Sequence, residues 1–453
     1  MKRLRLLFSI LCLTVSAMAQ DSLPMAMLPD TSSAVHSLTA DTLSTDGLSA
    51  DSLSVDVLAD TPAAVCPDTL TTDSTTFPRV SLLTCSPGVE IWQQYGHTAI
   101  RYEDPAEQID VVFNYGLFSF ATPHFVWRFC TGQTDYIVGV EDYAYFELEY
   151  MERGSSVTMQ VLDMAPDEVE RFWNLITTNC RKENRTYRYN FFYKNCATMA
   201  RDILYRSFNE PVTFAASDTV PLRAILHECN GTYPWASFAI DLVLGAEADR
   251  PVTHDIQEFA PDRLCRTFAA ASAGGTPLVK ETQTIGPVTS LPDVLRFPLS
   301  PMQAMIVLLI ITAIVCVLEL LLEKLLWIYD ILLYGLQGLM GLVIAFLFFC
   351  SGHPAVDSNV LVIFFNPLAW VFLYFILRAA RRHTSQWACW AEMALAVALV
   401  AVELCVQQQI PPALWVLVAS LLLRSLHHLF LHSYLLRCQQ RASHSKAAHT
   451  KAS

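Results

Sequence analysis

Five apolar stretches follow one another near the end of the chain, at 302–322, 331–350, 360–378, 387–406 and 411–431. Each is close to the ~20 residues that a helix needs to cross the hydrocarbon core of a bilayer. A backbone in lipid has to satisfy its own N–H and C=O groups, so each stretch is expected to be a helix. The set is expected to form an all-α transmembrane bundle over 298–436. Hydrophobic residues make up 53% of the 453. A soluble domain sits nearer ~45–50%, and almost all of the excess here lies after residue 300.

The first residues set the orientation. Lys2, Arg3 and Arg5 precede an apolar run at 6–15, and Ala17-Met18-Ala19 is a small-x-small site. That pattern is a signal peptide over 1–19, leaving Gln20 as the new N-terminus; an uncleaved anchor is the rival reading. Either way, the chain beyond residue 19 is exported. The first apolar stretch then starts outside. Arg378, Arg381 and Arg382 fall inside, as do Arg437, Arg441, Lys446 and Lys451 of a basic tail at 437–453. This agrees with the positive-inside rule. The loops 351–359 and 407–412 are expected to face the exported part.

Residues 20–78 are rich in Ser, Thr, Asp and Ala, with a loose repeat around Asp41, Asp51 and Asp68. Such a segment cannot bury enough apolar surface to offset its ordering entropy and reads as a disordered linker. The net charge of −13 speaks against nucleic acid, whose phosphates want a basic face. Cys66, Cys85, Cys130, Cys180, Cys196, Cys229 and Cys265 lie in the exported part, an odd number with no CxxC pair. At least one stays unpaired within the chain, and a zinc ribbon is disfavoured.

Residues 79–297 read as a globular mixture of strands and helices. Strands are expected at 80–84, 97–102, 111–115 and 156–162, from apolar runs and alternation. A short helix is expected at 90–95, stopped by Gly96. Another opens at Pro166 with acids in its first turn. An aromatic strand or loop covers 187–192, and a helix follows at 195–208 with Asn195 as its N-cap.

Two stretches carry chemistry. In the first, Tyr95 to Tyr102, His97 heads a strand. In the second, Tyr189 to Asp202, Cys196 sits in the first turn of a helix. A helix N-terminus offers partial positive charge and free N–H groups, which lower a thiol pKa and hold an oxyanion. An imidazole beside it gives an activated thiolate, and a third group orients the imidazole. Asn114 on the next strand is the best candidate for that third group, with Asp110 as the fallback. The bland alternative is a buried structural Cys and an ordinary strand His. Cys85, Cys130 and Cys180 read as structural or paired.

The order of His-strand, polar-strand and Cys-helix resembles the circularly permuted papain-like fold of NlpC-type enzymes and the lecithin:retinol acyltransferase group. Several motifs together resemble the Lnb-type lipoprotein N-acyltransferases. They are Thr84-Cys-Ser-Pro-Gly-Val-Glu90, Tyr95-Gly-His-Thr-Ala-Ile-Arg101, Phe113-Asn-Tyr-Gly116, Tyr193-Lys-Asn-Cys196 and Arg201-Asp202, followed by His353-Pro354, Asn359 and Phe365-Asn366-Pro367. The expected fold class is therefore α+β permuted papain-like (NlpC-like) over 79–297, followed by the helical bundle. The resemblance implies an inner-membrane enzyme with its catalytic domain in the periplasm. It would move an acyl chain from a phospholipid, through a Cys196 thioester, to the α-amine of a diacylglyceryl-cysteine lipoprotein. His97 is the implied base, and no cofactor or metal is implied.

Other residues carry weaker expectations. Arg101, on the strand face of His97, meets a phosphate head group or forms a salt bridge. Tyr193, within the aromatic run from Tyr187, holds substrate chains or packs a core. His353 and Asn366 line a lipid path or cap helices. Glu392 and Arg424 are expected to pair inside the bundle, and Glu319 to snorkel towards the inner surface. Rival readings are a membrane-anchored NlpC-like peptidase or amidase acting on peptidoglycan, and a non-catalytic envelope scaffold.

Overall fold

The computed structural model describes residues 77–88, 90, 93–214, 219–231, 233–286, 297–382 and 386–452. The signal peptide expected at 1–19 and the linker at 20–78 lie outside them, but for residues 77 and 78. The helix expected at 90–95 falls partly outside, and residues 93–95 form a turn.

Seven antiparallel strands build the N-terminal domain: β1 (Arg79–Cys85), β2 (His97–Asp104), β3 (Ile109–Leu117), β4 (Asp135–Asp142), β5 (Val157–Leu162), β6 (Thr186–Arg188) and β7 (Val279–Ile285). Their spatial order is β7-β5-β1-β2-β3-β4-β6. Helices α1 (Phe125–Cys130), α2 (Tyr143–Glu152), α3 (Pro166–Cys180) and α4 (Cys196–Ser207) lie between them. Both faces of the central strands are covered. Leu82, Ile100 and Phe113 pack under α3 and α4, while Leu83, Ala99 and Val112 pack under Phe146 and Tyr150 of α2. That double burial is why 80–83 reads as a nearly unbroken apolar run. The opening of α3 is held by a side chain, since Glu168 accepts the Ala165 N–H at 2.8 Å.

Three further helices follow α4: α5 (Leu222–Asn230) and α6 (Pro234–Val243) lead towards the C-terminal bundle, while α7 (Pro261–Ala270) packs Leu264 and Phe268 into the core of the sheet. Phe238 and Leu242 of α6 pack into the core of that bundle. Asn359 Nδ2 donates to the Leu242 carbonyl at 2.9 Å, and Gln408 Nε2 to the Leu244 carbonyl at 3.2 Å. The loops around 359 and 408 therefore face the N-terminal domain, as their charge-derived orientation requires.

The bundle comprises α8 (Pro301–Leu322), α9 (Trp327–Cys350), α10 (Leu368–Arg382), α11 (Trp387–Val406) and α12 (Pro412–Ala452). Among the described residues, five helical spans are long and apolar enough to cross a membrane. The third is not the continuous helix expected at 360–378. One 3-10 turn, Val360–Ile363, is followed by a break and then by α10. Pro367 has no N–H to give to a continuing helix. Asn366 accepts the Leu368 N–H at 3.0 Å and donates to the Ile363 carbonyl at 2.8 Å, and Gln337 Nε2 reaches the Phe364 carbonyl at 3.2 Å. Gly341 on α9 makes room, because a Cβ there would collide with the Asn366 backbone.

The Glu392–Arg424 pair expected from the sequence is absent. Arg424 instead binds Glu319 through two bonds of 2.7 Å, and Asp330 at 2.5 and 3.1 Å. His427 and His428 add contacts to Glu319 at 2.8 Å and to Asp330 at 3.0 Å. Glu319 does not snorkel; it is fully buried. The reason lies in which face each side chain occupies: α12 packs against both α8 and α11, but Arg424 meets Glu319 of α8, whereas Glu392 on α11 meets Gln337 of α9.

Candidate active site

The site is built where β2 and β3 part company. Their ladder runs from Asp104↔Ile109 to Ala99↔Asn114 and stops there, short of His97 and Thr98. The first turn of α4 stands at that opening. Asn195 caps it: Oδ1 accepts the N–H groups of Ala197 and Thr198, both at 3.0 Å, while Thr198 Oγ1 accepts the Asn195 N–H at 2.9 Å. The Asn195 amide also donates to the carbonyls of Phe191 (3.0 Å) and Phe259 (2.8 Å). A buried side chain thus fixes both the start of α4 and the position of Cys196.

His97 lies beside the Cys196 thiol, close enough for each to shift the other's protonation. Its Nε2 lies 2.8 Å from Asn114 Oδ1. Asn114 Nδ2 donates in turn to Glu141 on β4. Asn114 can only accept through Oδ1, so Nε2 carries the proton and Nδ1 is left as the basic nitrogen. Gly116, with φ +95°, brings the β3 backbone against the nucleophile; a Cβ there would stand 3.7 Å from Cys196 Cβ.

Burial by itself pushes a thiol up. It does so for Cys85, for Cys180 (to about 12) and for Cys229 (to about 11). Cys196 moves the other way. Its burial also raises it, but the His97 charge, the His97 hydrogen bond and the N–H groups of Thr98 and Ala197 together hold it below the usual thiol range. His97 answers in kind: burial lowers it, yet Cys196 and then Asn114 keep it above the ordinary imidazole value. The arrangement favours a thiolate beside an imidazolium, which is the reactive form of a cysteine nucleophile. Glu141 is pushed up by burial and by Glu149, partly offset by the Asn114 bond.

The structure therefore brings Cys196, His97 and Asn114 together. The fallback Asp110 is elsewhere, gripping Arg101 through bonds of 2.7 and 2.8 Å. Arg101 is sandwiched there, with its guanidinium 3.6 Å from the Tyr143 ring centroid. Tyr193 and His353 meet across the domain junction, where they line a cleft of about 220 Å³ with Arg188, Lys194 and Tyr189. His353 also bonds the Phe129 carbonyl at 2.6 Å. Asn366 is not at this cleft but at the break in the third span. Of the aromatic run, Phe192 packs on Phe259 and Tyr189 stacks on Tyr136. Glu141 had no place in the sequence reading; its signal is the β3–β4 register, which sets Asn114 opposite Gly139, two residues away. Among the described residues no His, Cys, Asp and Glu group is arranged to hold a metal.

Residues 69–227 match the family model of the Lnb N-terminal periplasmic domain, and residues 293–434 match that of the Lnb transmembrane domain. No curated protein and no solved structure matches the chain.

Proposed function

The chain belongs to the Lnb family, as a multi-pass membrane protein with a periplasmic domain, and on that premise we propose that it is a lipoprotein N-acyltransferase of the inner membrane. The observation that carries the reading is the placement of Cys196, at the capped first turn of α4, beside a His97 held by Asn114, in a domain seated on five spanning helices. Both substrates of such a reaction are lipids anchored in one leaflet. An enzyme tethered to that leaflet meets them at high effective concentration.

In the proposed ping-pong cycle, the Cys196 thiolate attacks an acyl ester carbonyl of a phospholipid. A C–S bond forms and the ester C–O bond breaks. His97 gives its proton to the leaving alkoxide, which departs as a lysophospholipid. The α-amine of a diacylglyceryl-cysteine lipoprotein then attacks the thioester. The C–N bond forms, the C–S bond breaks, and the amine proton passes to His97, which restores the starting ion pair. Asn114 holds the imidazole in the working tautomer, and Glu141 orients Asn114. The cap of α4 uses the N–H groups of residues 195, 197 and 198 but not that of Cys196. That N–H is assigned to the oxyanion.

The test is mass spectrometry of a lipoprotein N-terminus in cells that depend on this chain for N-acylation, comparing wild type with Cys196→Ser. Triacyl product from wild type and diacyl from the variant, at equal protein levels, supports the reading. Acylation by the variant removes Cys196 from the mechanism. No acylation by either removes the acyltransferase reading and favours a wall hydrolase.

A further inference from the structure

The segment that runs from the nucleophile to the bundle has an unusual surface. It starts at Leu117, next to Gly116, and ends with α1. No residue of α1 is buried. Phe120 is 61% exposed, Val126 50% and Trp127 49%. A domain surrounded by water does not leave large apolar side chains in such a contiguous patch. Arg128, the one charged side chain of α1, is engaged by Asp135 at 3.0 Å.

The patch is continuous with a spanning helix. The Trp127 ring lies 5.1 Å from that of Phe346 on α9. Phe346 stands four residues before the outer end of that spanning helix, hence about 6 Å below it. The segment is pinned at that level: Gly352 donates to the Thr131 carbonyl at 3.1 Å, and His353 bonds the Phe129 carbonyl. At its other end, Phe118 stacks on Tyr136 at 5.0 Å, and Tyr136 on Tyr189 at 4.1 Å. Between the ends, Phe118 stacks on Phe125 and Phe125 on Phe129, which lies against both His353 and Tyr189, so a run of rings joins the loop after α9 to Tyr189, within reach of the Cys196 charge.

We propose that residues 117–130 form a strap immersed in the outer leaflet, and that its aromatic face is the path by which a phospholipid acyl chain leaves the bilayer and reaches Cys196. The proposal rests on the acyltransferase reading for its second half only. The occupant follows from continuity: a leaflet that surrounds α9 at the level of Phe346 also meets Trp127, which packs there. An interfacial element of this kind sinks its apolar face ~5–10 Å into the boundary between head groups and chains. Chain and ester then approach the thiol together, and the chain has no need to cross water.

Two measurements on the full-length protein in phospholipid vesicles test this. In the first, tryptophan emission is quenched with phosphatidylcholine brominated high on its chains, or with aqueous acrylamide, for wild type and Trp127→Tyr. The difference reports Trp127. Quenching of that difference by the brominated lipid is expected; quenching by acrylamide alone overturns immersion. In the second, Cys196 acylation is followed with a long-chain bilayer phospholipid and with a soluble short-chain nitrophenyl ester. Phe120→Glu combined with Trp127→Glu is expected to slow the bilayer donor by about tenfold or more, while the soluble ester stays within about twofold. Phe120→Leu with Trp127→Phe is expected to retain both rates. Equal loss with both donors makes the strap a structural support and overturns the path. Normal Cys196 acylation with impaired transfer to the lipoprotein assigns the strap to the acceptor's chains and also overturns it. If wild type is acylated by neither donor, the acyltransferase reading fails, and the quenching result still decides immersion.

Discussion

His97 Nε2 stands 2.8 Å from the side-chain oxygen of Asn114, an atom that only accepts. That contact assigns the proton to Nε2 and leaves Nδ1 as the base. Asn114 is itself oriented by Glu141 on the neighbouring strand. A second group behind the imidazole fixes its tautomer and ring angle. Asn114→Ala is therefore expected to lower the rate of Cys196 acylation by about tenfold or more. Glu141→Ala is expected to cost less, and Glu141→Gln least, because a Gln oxygen still accepts from Asn114. Single-turnover acylation measured by intact-mass spectrometry checks the order; an Asn114→Ala rate equal to wild type removes it from the site.

The pH profile of Cys196 alkylation is set by the same pair. The thiol lies below its ordinary value and the imidazole above its own. The thiolate is thus expected to persist as pH falls through the ordinary thiol range, and to be lost only as pH falls through the lowered Cys196 value. In His97→Ala the lowering charge is gone and burial remains, so the profile is expected to move up past the usual thiol range. Iodoacetamide rates across pH, followed at the Cys196 peptide, check this; overlapping profiles contradict it.

Asn195 anchors the nucleophile mechanically. It accepts two N–H groups of α4 and donates to the carbonyls of Phe191 and Phe259. Loss of an N-cap costs ~0.5–2 kcal/mol, and two buried carbonyls are also left without these donors. Asn195→Ala is expected to lower the melting temperature of the purified protein by several degrees and to slow Cys196 alkylation. Asn195→Asp keeps the cap and loses the donors, so it should fall between. Circular dichroism melting curves in detergent give the ranking.

Much of this site was legible because its signals are local. Asn195 before an apolar-periodic helix marks the cap, and alternation through 97–102 and 111–115 marks two adjacent strands. The relay to Glu141 was not legible, because it depends on the register Asn114↔Gly139 between strands that a loop and α1 separate. β7 was missed for another reason: it is an edge strand whose Lys, Glu, Thr and Gln face solvent, so it has no apolar alternation to show. The break in the third span did have a signal. Pro367 disfavours a helical residue before it, but the surrounding apolar run outweighed it. Partners inside the bundle were beyond reach, since hydropathy gives spans and orientation but not which helix lies beside which.

The buried network at the inner ends of α8, α9 and α12 is such a case, and it bears on stability alone. Arg424, Glu319 and Asp330 have fully buried side chains, bonded to one another and to two histidines. A charge left alone there cannot be hydrated, so removing one partner costs more than the network contributed, ~3–5 kcal/mol. Arg424→Met leaves both carboxylates without their main counter-charge. It is expected to reduce sharply the fraction of protein recovered folded from detergent. Arg424→Met with Glu319→Gln and Asp330→Asn removes the charges together and is expected to recover most of the loss. The cluster lies at the inner ends of the helices, while Cys196 lies beyond their outer ends. Alkylation of Cys196 in the folded fraction should therefore match wild type in both variants. A change in that rate would mean that the inner network also positions the periplasmic domain; equal recovery of single and triple variants would mean that the uncompensated charges are not what destabilises the bundle.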